Sequence, residues 1–478
     1  MLESGVQRPR GLLVRLAGRN VVRRRALPQT AARYVASGDP DTHWFHGQVL
    51  GGLSNYWTGA VPRFAPGDFV DGVRLGEQFR WPIGYEDLRP HYEWAERLIG
   101  VSGSTDGFST LPASIVNHRR TLPADWRSVA AVAASRGRYL TPMPLADGRS
   151  WLIRRSGTAF NSYSRIVAPL LGKPNFRFVR GAHALHLEVD RVSGRVRSVI
   201  YHDRMRNCEQ RLDGTAIILA AGPIASTKLL LDSCSPAFPD GLGNSQGILG
   251  KYLHDHVHDM CIVESERPLS RLADAAYLTR ARYESSEPLL ATQAAIASNT
   301  ALRDKLLNFT PLPAGRFGVI IFGSMVPTEN NWVAPDAAAK DEFGLPALNI
   351  RLSFRDAELA HAAGAKDEAV ALLNDAGYRA RMTWSLPKVT PGTSVHFGGT
   401  ARMHDSPRYG VVDGWNRLYD APNVLAVDAS CFTTGVEKNP ALTSMAIASR
   451  AACRLADDLM RRADGCRRTS PAILSVPR

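Results

Sequence analysis

The stretch "GTAIILAAGPIASTKLLLDS" (214–233) constrains the fold more than any other part of the chain. Ala216 to Ala221 reads as a buried apolar strand, Gly222-Pro223 as a sharp turn, and Ile224 to Asp232 as an amphipathic helix. A buried strand that turns straight into a helix belongs to a sheet covered on both faces. A second unit of this kind closes the chain. "NVLAVDASCF" reads as a buried strand ending in Asp428, and "NPALTSMAIASRAACRLADDLM" as a long helix with Asn439 at its N-cap and Pro440 in its first turn.

Between these units the texture changes. "YEDLRPHYEWAERLIGV" places Leu88, Tyr92, Ala95, Leu98 and Ile99 on one helical stripe that ends at Gly100. Residues 176–203 alternate around a turn and predict a β-hairpin. From about 257 onward, "VHDMCIVES", "FGVIIFGSMVP" and "ALNIRLSF" read as strands joined by long loops, and "RDAELAHAAGAKDEAVALLNDAG" as a helix. Strands followed by a helix without strict alternation predict an α+β unit beside the α/β one. With 478 residues the chain has room for both.

The net charge of +13 suggests a nucleic-acid partner until it is located. Residues 1–36 carry eight arginines against Glu3, and residues 461–478 carry five against Asp464, so the large middle is nearly neutral. A nucleic-acid reader needs its basic face on the folded body, which excludes that class here. The Arg-rich run "GLLVRLAGRNVVRRR" is too short in its apolar part for a membrane span or a signal segment; a transit peptide and a basic loop or surface helix stay open. Six cysteines stand apart with no C-x-x-C pair, which fits a reducing, cytoplasmic setting.

Three stretches carry residues with chemistry to offer. "GGLSNYWTGAVPRF" (51–64) joins the pair Gly51-Gly52 to a hydroxyl, an amide and the aromatics Tyr56 and Trp57, and such a loop can bring backbone N–H groups up to a ligand or be a plain turn. "SVHFGGTARMHD" (394–405) presents His396 before a Gly-Gly-Thr turn, as a base or as a structural histidine. "VDASCFTTGVEKNPALTSMAIA" (427–448) presents Asp428 at a strand end and Asn439 at a helix N-terminus, a ready place for negative charge. "YLHDHVHD" could put His254, His256 and His258 on one face of a strand, as zinc sites sometimes do, or be an ordinary loop.

Taken in order, these stretches and the strand–turn–helix at 214–233 resemble the glucose-methanol-choline (GMC) family of FAD-dependent oxidoreductases. "HFGGTARM" is similar to that family's His-x-x-Gly-Thr-x-Arg-Met stretch, "VDAS…NPALTSMAIASRAA" to its closing signature, and "GGLSNYWTGAVPRF" to the flavin loop of the pyranose-oxidase-like branch. The resemblance implies a Rossmann-like FAD-binding domain assembled from residues 1–64, 176–256 and 391–460. It also implies connecting and cap segments at 65–175, an α+β substrate-binding domain at 257–390, and a basic tail at 461–478. "MLESG" resembles the end of the family's second strand, with Glu3 on the adenosine ribose, so a Gly-x-Gly-x-x-Gly turn and first helix of roughly 20 to 30 residues would precede Met1. The FAD domain is then incomplete at its N-terminus, and the chain as given is expected to hold FAD weakly or not at all. A misassigned start, a truncated non-catalytic paralogue and an accessory subunit remain open readings. By the same resemblance "YLHDHVHD" is a family loop with no metal.

The resemblance further implies oxidation of a CH–OH group, with a secondary alcohol of a sugar, glycoside or cyclitol as the expected substrate. His396 would be the base and Asn439 its hydrogen-bonding companion, since an amide orients a substrate but does not easily take a proton. Gly51, Gly52, Ser54, Asn55 and Thr58 would meet the flavin; Ala184, Ala221 and Asp428 the rest of the cofactor; Pro440 and Thr443 the flavin edge where negative charge develops. Tyr56 stands where the pyranose oxidases carry the histidine bonded to their flavin, so FAD is expected to be non-covalent. Ala441 replaces a polar residue common after that proline. Neither the substrate nor the electron acceptor (oxygen, quinone or protein) is written in these residues.

Overall fold

The computed structural model describes residues 34–36, 50–55, 57–146, 160–190, 193–272, 275–283, 287–297 and 315–469. Glu3 and Tyr56 lie outside them, as does the side chain of Asn55. The largest sheet has six strands: β4 (Arg138–Pro142), β9 (Val257–Ser265), β10 (Ala276–Arg280), β11 (Thr292–Ala297), β12 (Arg316–Gly323) and β15 (Ala380–Ser385). Their order across the sheet is β15-β9-β12-β11-β10-β4, all antiparallel. The strand expected at 257–265 is present as β9 and the run expected at 317–327 forms β12 over its first part; both lie inside the sheet, and an edge is supplied by β4 from the segment read as connecting.

The smaller sheets draw together distant parts of the chain. β1 (Tyr34–Ala36) pairs in parallel with β14 (Pro346–Arg351), which pairs antiparallel with β13 (Trp332–Lys340). β2 (Val101–Gly103) and β3 (Val116–Arg119) form a parallel pair. The predicted hairpin is present as β5 (Ala182–Val189) and β6 (Val196–Asp203), but a third strand, β7 (Cys208–Asp213), extends it. β8 (Ile217–Leu219) and β16 (Val424–Ala426) pair in parallel, which joins the two strand–turn–helix units. The sequence predicts β8 to be buried throughout; instead Ile218 is 48% exposed, and Ala220 and Ala221 are exposed too. Among the described residues β16 alone pairs with β8, along one edge of it.

Five helices support this frame: α1 (Tyr85–Ile99), α2 (Ala124–Ser135), α3 (Pro223–Leu231), α4 (Asp356–Asp375) and α5 (Ala441–Thr469). Helix α1 buries the stripe read from the sequence at Leu88, Tyr92, Ala95 and Ile99, packs against α5, and stops where Gly100 turns left-handed at φ 73°. Helix α4 lies across the six-stranded sheet against β9, β11, β12 and β15. A buried ion pair fixes α1 to the end of the 51–64 loop: Arg63 Nε is 2.8 Å and its Nη2 2.5 Å from the Glu96 carboxylate. Most of the buried apolar side chains form one continuous cluster that runs from Val61 to Ile447. The division into the two domains outlined above stands as a proposal, because β4 and the β1–β14 pair bind segments from both sides of it.

Candidate active site

His396 and Asn439, 43 residues apart, meet directly: Asn439 Nδ2 stands 3.2 Å from His396 Nε2. Each is delivered by a built turn. The His396 loop is zipped onto the segment after β16 by backbone bonds from Gly399 to Ala429, Ala401 to Ser430 and Met403 to Cys431. Its tip is held by Asp255, which accepts from the His396 backbone N–H at 2.8 Å and from the Ser394 hydroxyl. These two bonds straddle Val395, whose φ of 59° is rare for a β-branched residue and is imposed by the clamp. Asn439 sits just ahead of α5, whose first helical bond runs from Ser444 N–H to Pro440 C=O; the helix begins one residue later than the sequence suggests.

The glycines of "HFGG" have a packing reason. A Cβ at Gly398 would come 2.3 Å from His254 Nε2, and one at Gly435 would come 2.6 Å from its Cδ2. His254 is therefore a spacer between the His396 loop and the turn before α5. The three histidines of "YLHDHVHD" diverge: His254 fills this gap, His256 Nδ1 faces His396 Nδ1 at 3.0 Å, and His258 stacks on Phe322. Among the described residues no group of three His, Cys, Asp or Glu side chains is placed to hold a metal ion.

Burial governs the protonation of this region. It lowers His254 to about 3 and His256 to about 4, and pushes Asp255 up to about 6. As pH falls from 6.5 toward 4, the unfolded chain takes up protons on both histidines that the folded chain refuses, so stability falls. Asp255 acts oppositely, because between 3.8 and about 6 the folded chain binds its proton more readily. With two histidines against one carboxylate, the thermal midpoint is expected to drop through this window. A midpoint that climbs on acidification contradicts the assignment.

The face of the six-stranded sheet adds Phe322, Gln293 and Tyr277, which none of the stretches singled out for chemistry contains. His258, Phe322 and Gln293 lie in register across β9, β12 and β11, and the His396 ring lies 5.5 Å from that of Phe322. Gln293 is buried with its side-chain amide directed at the Tyr277 hydroxyl. Tyr277 on β10 donates its hydroxyl to Asn439 Oδ1. Just before Asn439, Lys438 Nζ lies 2.9 Å from both Asp68 Oδ2 and Glu437 Oε1. Arg280 adds contacts at 3.5 Å to Glu437 and 3.7 Å to Asp68, and Tyr283 donates to Asp68 at 2.9 Å. Burial would raise the Glu437 carboxyl, but Arg280 and Lys438 hold it down to about 2. The charged pair Glu437-Lys438 inside an otherwise apolar stretch was the one local signal of this cluster.

The remaining expected contacts are spread over four places. Asp428 receives Gly222 N–H at 2.9 Å, the Ser226 hydroxyl at 2.5 Å and Ser430 N–H at 2.9 Å, so it ties the turn after Ala221 to the end of β16. Its carboxylate is engaged by the protein itself. The Gly51–Thr58 loop is anchored elsewhere: Ser54 Oγ bonds to Gly51 C=O and to Ser162, Trp57 Nε1 to Phe160 C=O, and Thr58 is exposed. Ala184 is exposed on β5. The Thr443 side chain faces the core, with its hydroxyl 2.9 Å from that of Tyr92, so only its backbone is left for a ligand.

These places fit a dinucleotide cofactor. A Cβ on Gly52 or on Gly222 would meet nothing within 4 Å, which leaves open backbone beside the 51–58 loop and at the start of α3. The first turn of α5 has N–H groups without helical acceptors.

Comparison with known proteins agrees. Residues 327–448 match the family model described as GMC oxidoreductase. The chain is 30% identical to the 6'''-hydroxyparomomycin C oxidase of Streptomyces lividus, over 86% of this chain and 79% of that protein. It is 29% identical to the paromamine 6'-oxidase of Streptomyces fradiae, with the same two shares. A crystal structure of pyridoxine 4-oxidase, from an organism given as Mesorbium loti, superposes with a TM-score of 0.61 at 18% identity, covering 93% of this chain and 92% of that one. The fold is thus that of a class of flavin-dependent oxidoreductases. This chain belongs to the GMC oxidoreductase family, whose cofactor is FAD. Among the described residues no helix is long and apolar enough to cross a membrane.

Proposed function

We propose that the chain oxidises a CH–OH group of a sugar, glycoside or cyclitol, with His396 as base and Asn439 as its companion on the same substrate oxygen. The observation that carries this is the 3.2 Å contact between His396 Nε2 and Asn439 Nδ2, with Tyr277 and the buried Gln293 amide behind it. A hydroxyl placed at the pair meets an imidazole nitrogen able to take its proton and an amide N–H able to steady the oxygen as charge grows on it. FAD, when bound, supplies the acceptor for the hydride that leaves the substrate carbon. Gly51, Gly52, Ser54 and Thr58, the Ala221–Gly222 turn and the backbone after Pro440 would hold it. Aminoglycoside oxidases among the relatives support a polyhydroxylated substrate, and Gln293 offers such a molecule both a donor and an acceptor.

The test of the substrate class is anaerobic reduction of the flavin-loaded protein by a panel of sugars, glycosides and cyclitols beside apolar alcohols. Reduction by apolar alcohols alone would remove the polyol reading. A second expectation concerns attachment: because Tyr56 cannot form the histidyl bond, acid precipitation should release all flavin into the supernatant. Flavin that remains with the precipitated polypeptide contradicts it.

A further inference from the structure

Tyr277 is far in sequence from the His396 loop, yet its buried hydroxyl donates to Oδ1 of Asn439, which is itself 5% exposed. Burial raises the phenol well above its usual range, so it stays a neutral donor at any working pH. An amide whose oxygen is engaged has only its N–H groups to offer elsewhere, and these face His396 Nε2. Nε2 must then present a lone pair. In a neutral ring the proton sits on Nδ1, 3.0 Å from Nδ1 of His256. His256, kept neutral by burial, accepts there and directs its own proton toward the Val436 carbonyl. The donors run in one direction, from Tyr277 through Asn439, His396 and His256.

We infer that Tyr277 is a positioning residue for the oxidation: by holding the Asn439 amide oxygen it turns the amide N–H toward His396 and keeps Nε2 in the form that takes the substrate's proton. This rests on the reading of His396 as base. The titratable groups around the His396–His256 pair are His254 against the His396 loop, Asp255 beneath its backbone, His258 over Phe322, Glu437 and Lys438 ahead of α5, and Arg280 on β10. Tyr277→Phe changes none of them and keeps the ring.

The experiment is a nitrogen NMR titration of the full-length, histidine-labelled protein, wild type and Tyr277→Phe, with His396→Ala to assign the signal, beside pH profiles of kcat/KM. In the wild type Nε2 of neutral His396 carries no proton and accepts from the Asn439 amide. In Tyr277→Phe the freed amide can turn its oxygen to Nε2 and favour the protonated ring. The His396 pKa and the acidic limb of kcat/KM should then rise together by about one unit, which is about a tenfold loss of activity below the limb. In an Asn439→Ala background the same substitution should do almost nothing, since its effect passes through that amide. A wild-type His396 protonated on Nε2 in its neutral form, or a Tyr277→Phe effect undiminished without Asn439, overturns the inference. An unimpaired His396→Ala enzyme sinks the base assignment and the inference with it. An impaired His396→Ala enzyme beside an unmoved titration in Tyr277→Phe sinks the role of Tyr277 alone.

Discussion

Replacing His396 by alanine should lower the rate of flavin reduction in the loaded protein by roughly 10² to 10⁴, the usual worth of general acid–base catalysis. The flanking groups make His396 the better base of the two histidines in contact. His256 is fully buried and lowered to about 4, whereas His396 is only partly buried and keeps Nε2 toward Asn439 and the sheet face. Asn439→Ala should cost less, because it removes one hydrogen bond and leaves the base in place. Anaerobic stopped-flow reduction at saturating substrate measures both. An Asn439→Ala loss that exceeds the His396→Ala loss would reverse the two roles.

Lys438→Met should destabilise the fold by about 3–5 kcal/mol, because it leaves Asp68 and Glu437 buried without the cation between them. All three side chains are fully buried. Glu437 is held ionised by Arg280 and Lys438, so losing Lys438 raises its carboxyl and makes the variant's deficit shrink as pH falls. Denaturant unfolding at two pH values checks both the size and the sign. A variant as stable as the wild type at neutral pH would show that Arg280 alone neutralises the cluster. Because Asn439 is the next residue, flavin reduction should slow as well.

What could be read from the sequence was what local chemistry encodes. The two strand–turn–helix units, the α1 stripe ending at Gly100, and the His396 and Asn439 pair all announce themselves through turn glycines, helix caps and short motifs. The side chains that complete the site do not. Tyr277, Phe322 and Gln293 meet only because the sheet runs β15-β9-β12-β11-β10-β4, an order no stretch of sequence displays. Strand β7 was missed because "CEQRLD" is mostly exposed and has no apolar alternation. The burial expected of β8 is not met at Ile218, because an apolar run does not by itself say what packs over each face of a strand. Asp428 illustrates the reverse case: its position at a strand end was legible, but its role as a tie to Gly222 and Ser226 depends on a turn 206 residues earlier.

The central claim is that this chain, loaded with FAD, removes hydride from the carbon of a polyhydroxylated alcohol while His396 takes the hydroxyl proton. The most direct measurement is anaerobic mixing of the loaded wild-type and His396→Ala proteins with sugars, aminoglycosides and cyclitols, protiated and deuterated at the oxidised carbon, followed by flavin absorbance. The account predicts bleaching of the wild type by at least one such compound, slowed by deuteration and slowed roughly 10² to 10⁴ in His396→Ala. Flavin that stays oxidised with every polyol, or that bleaches equally fast without His396, would contradict it.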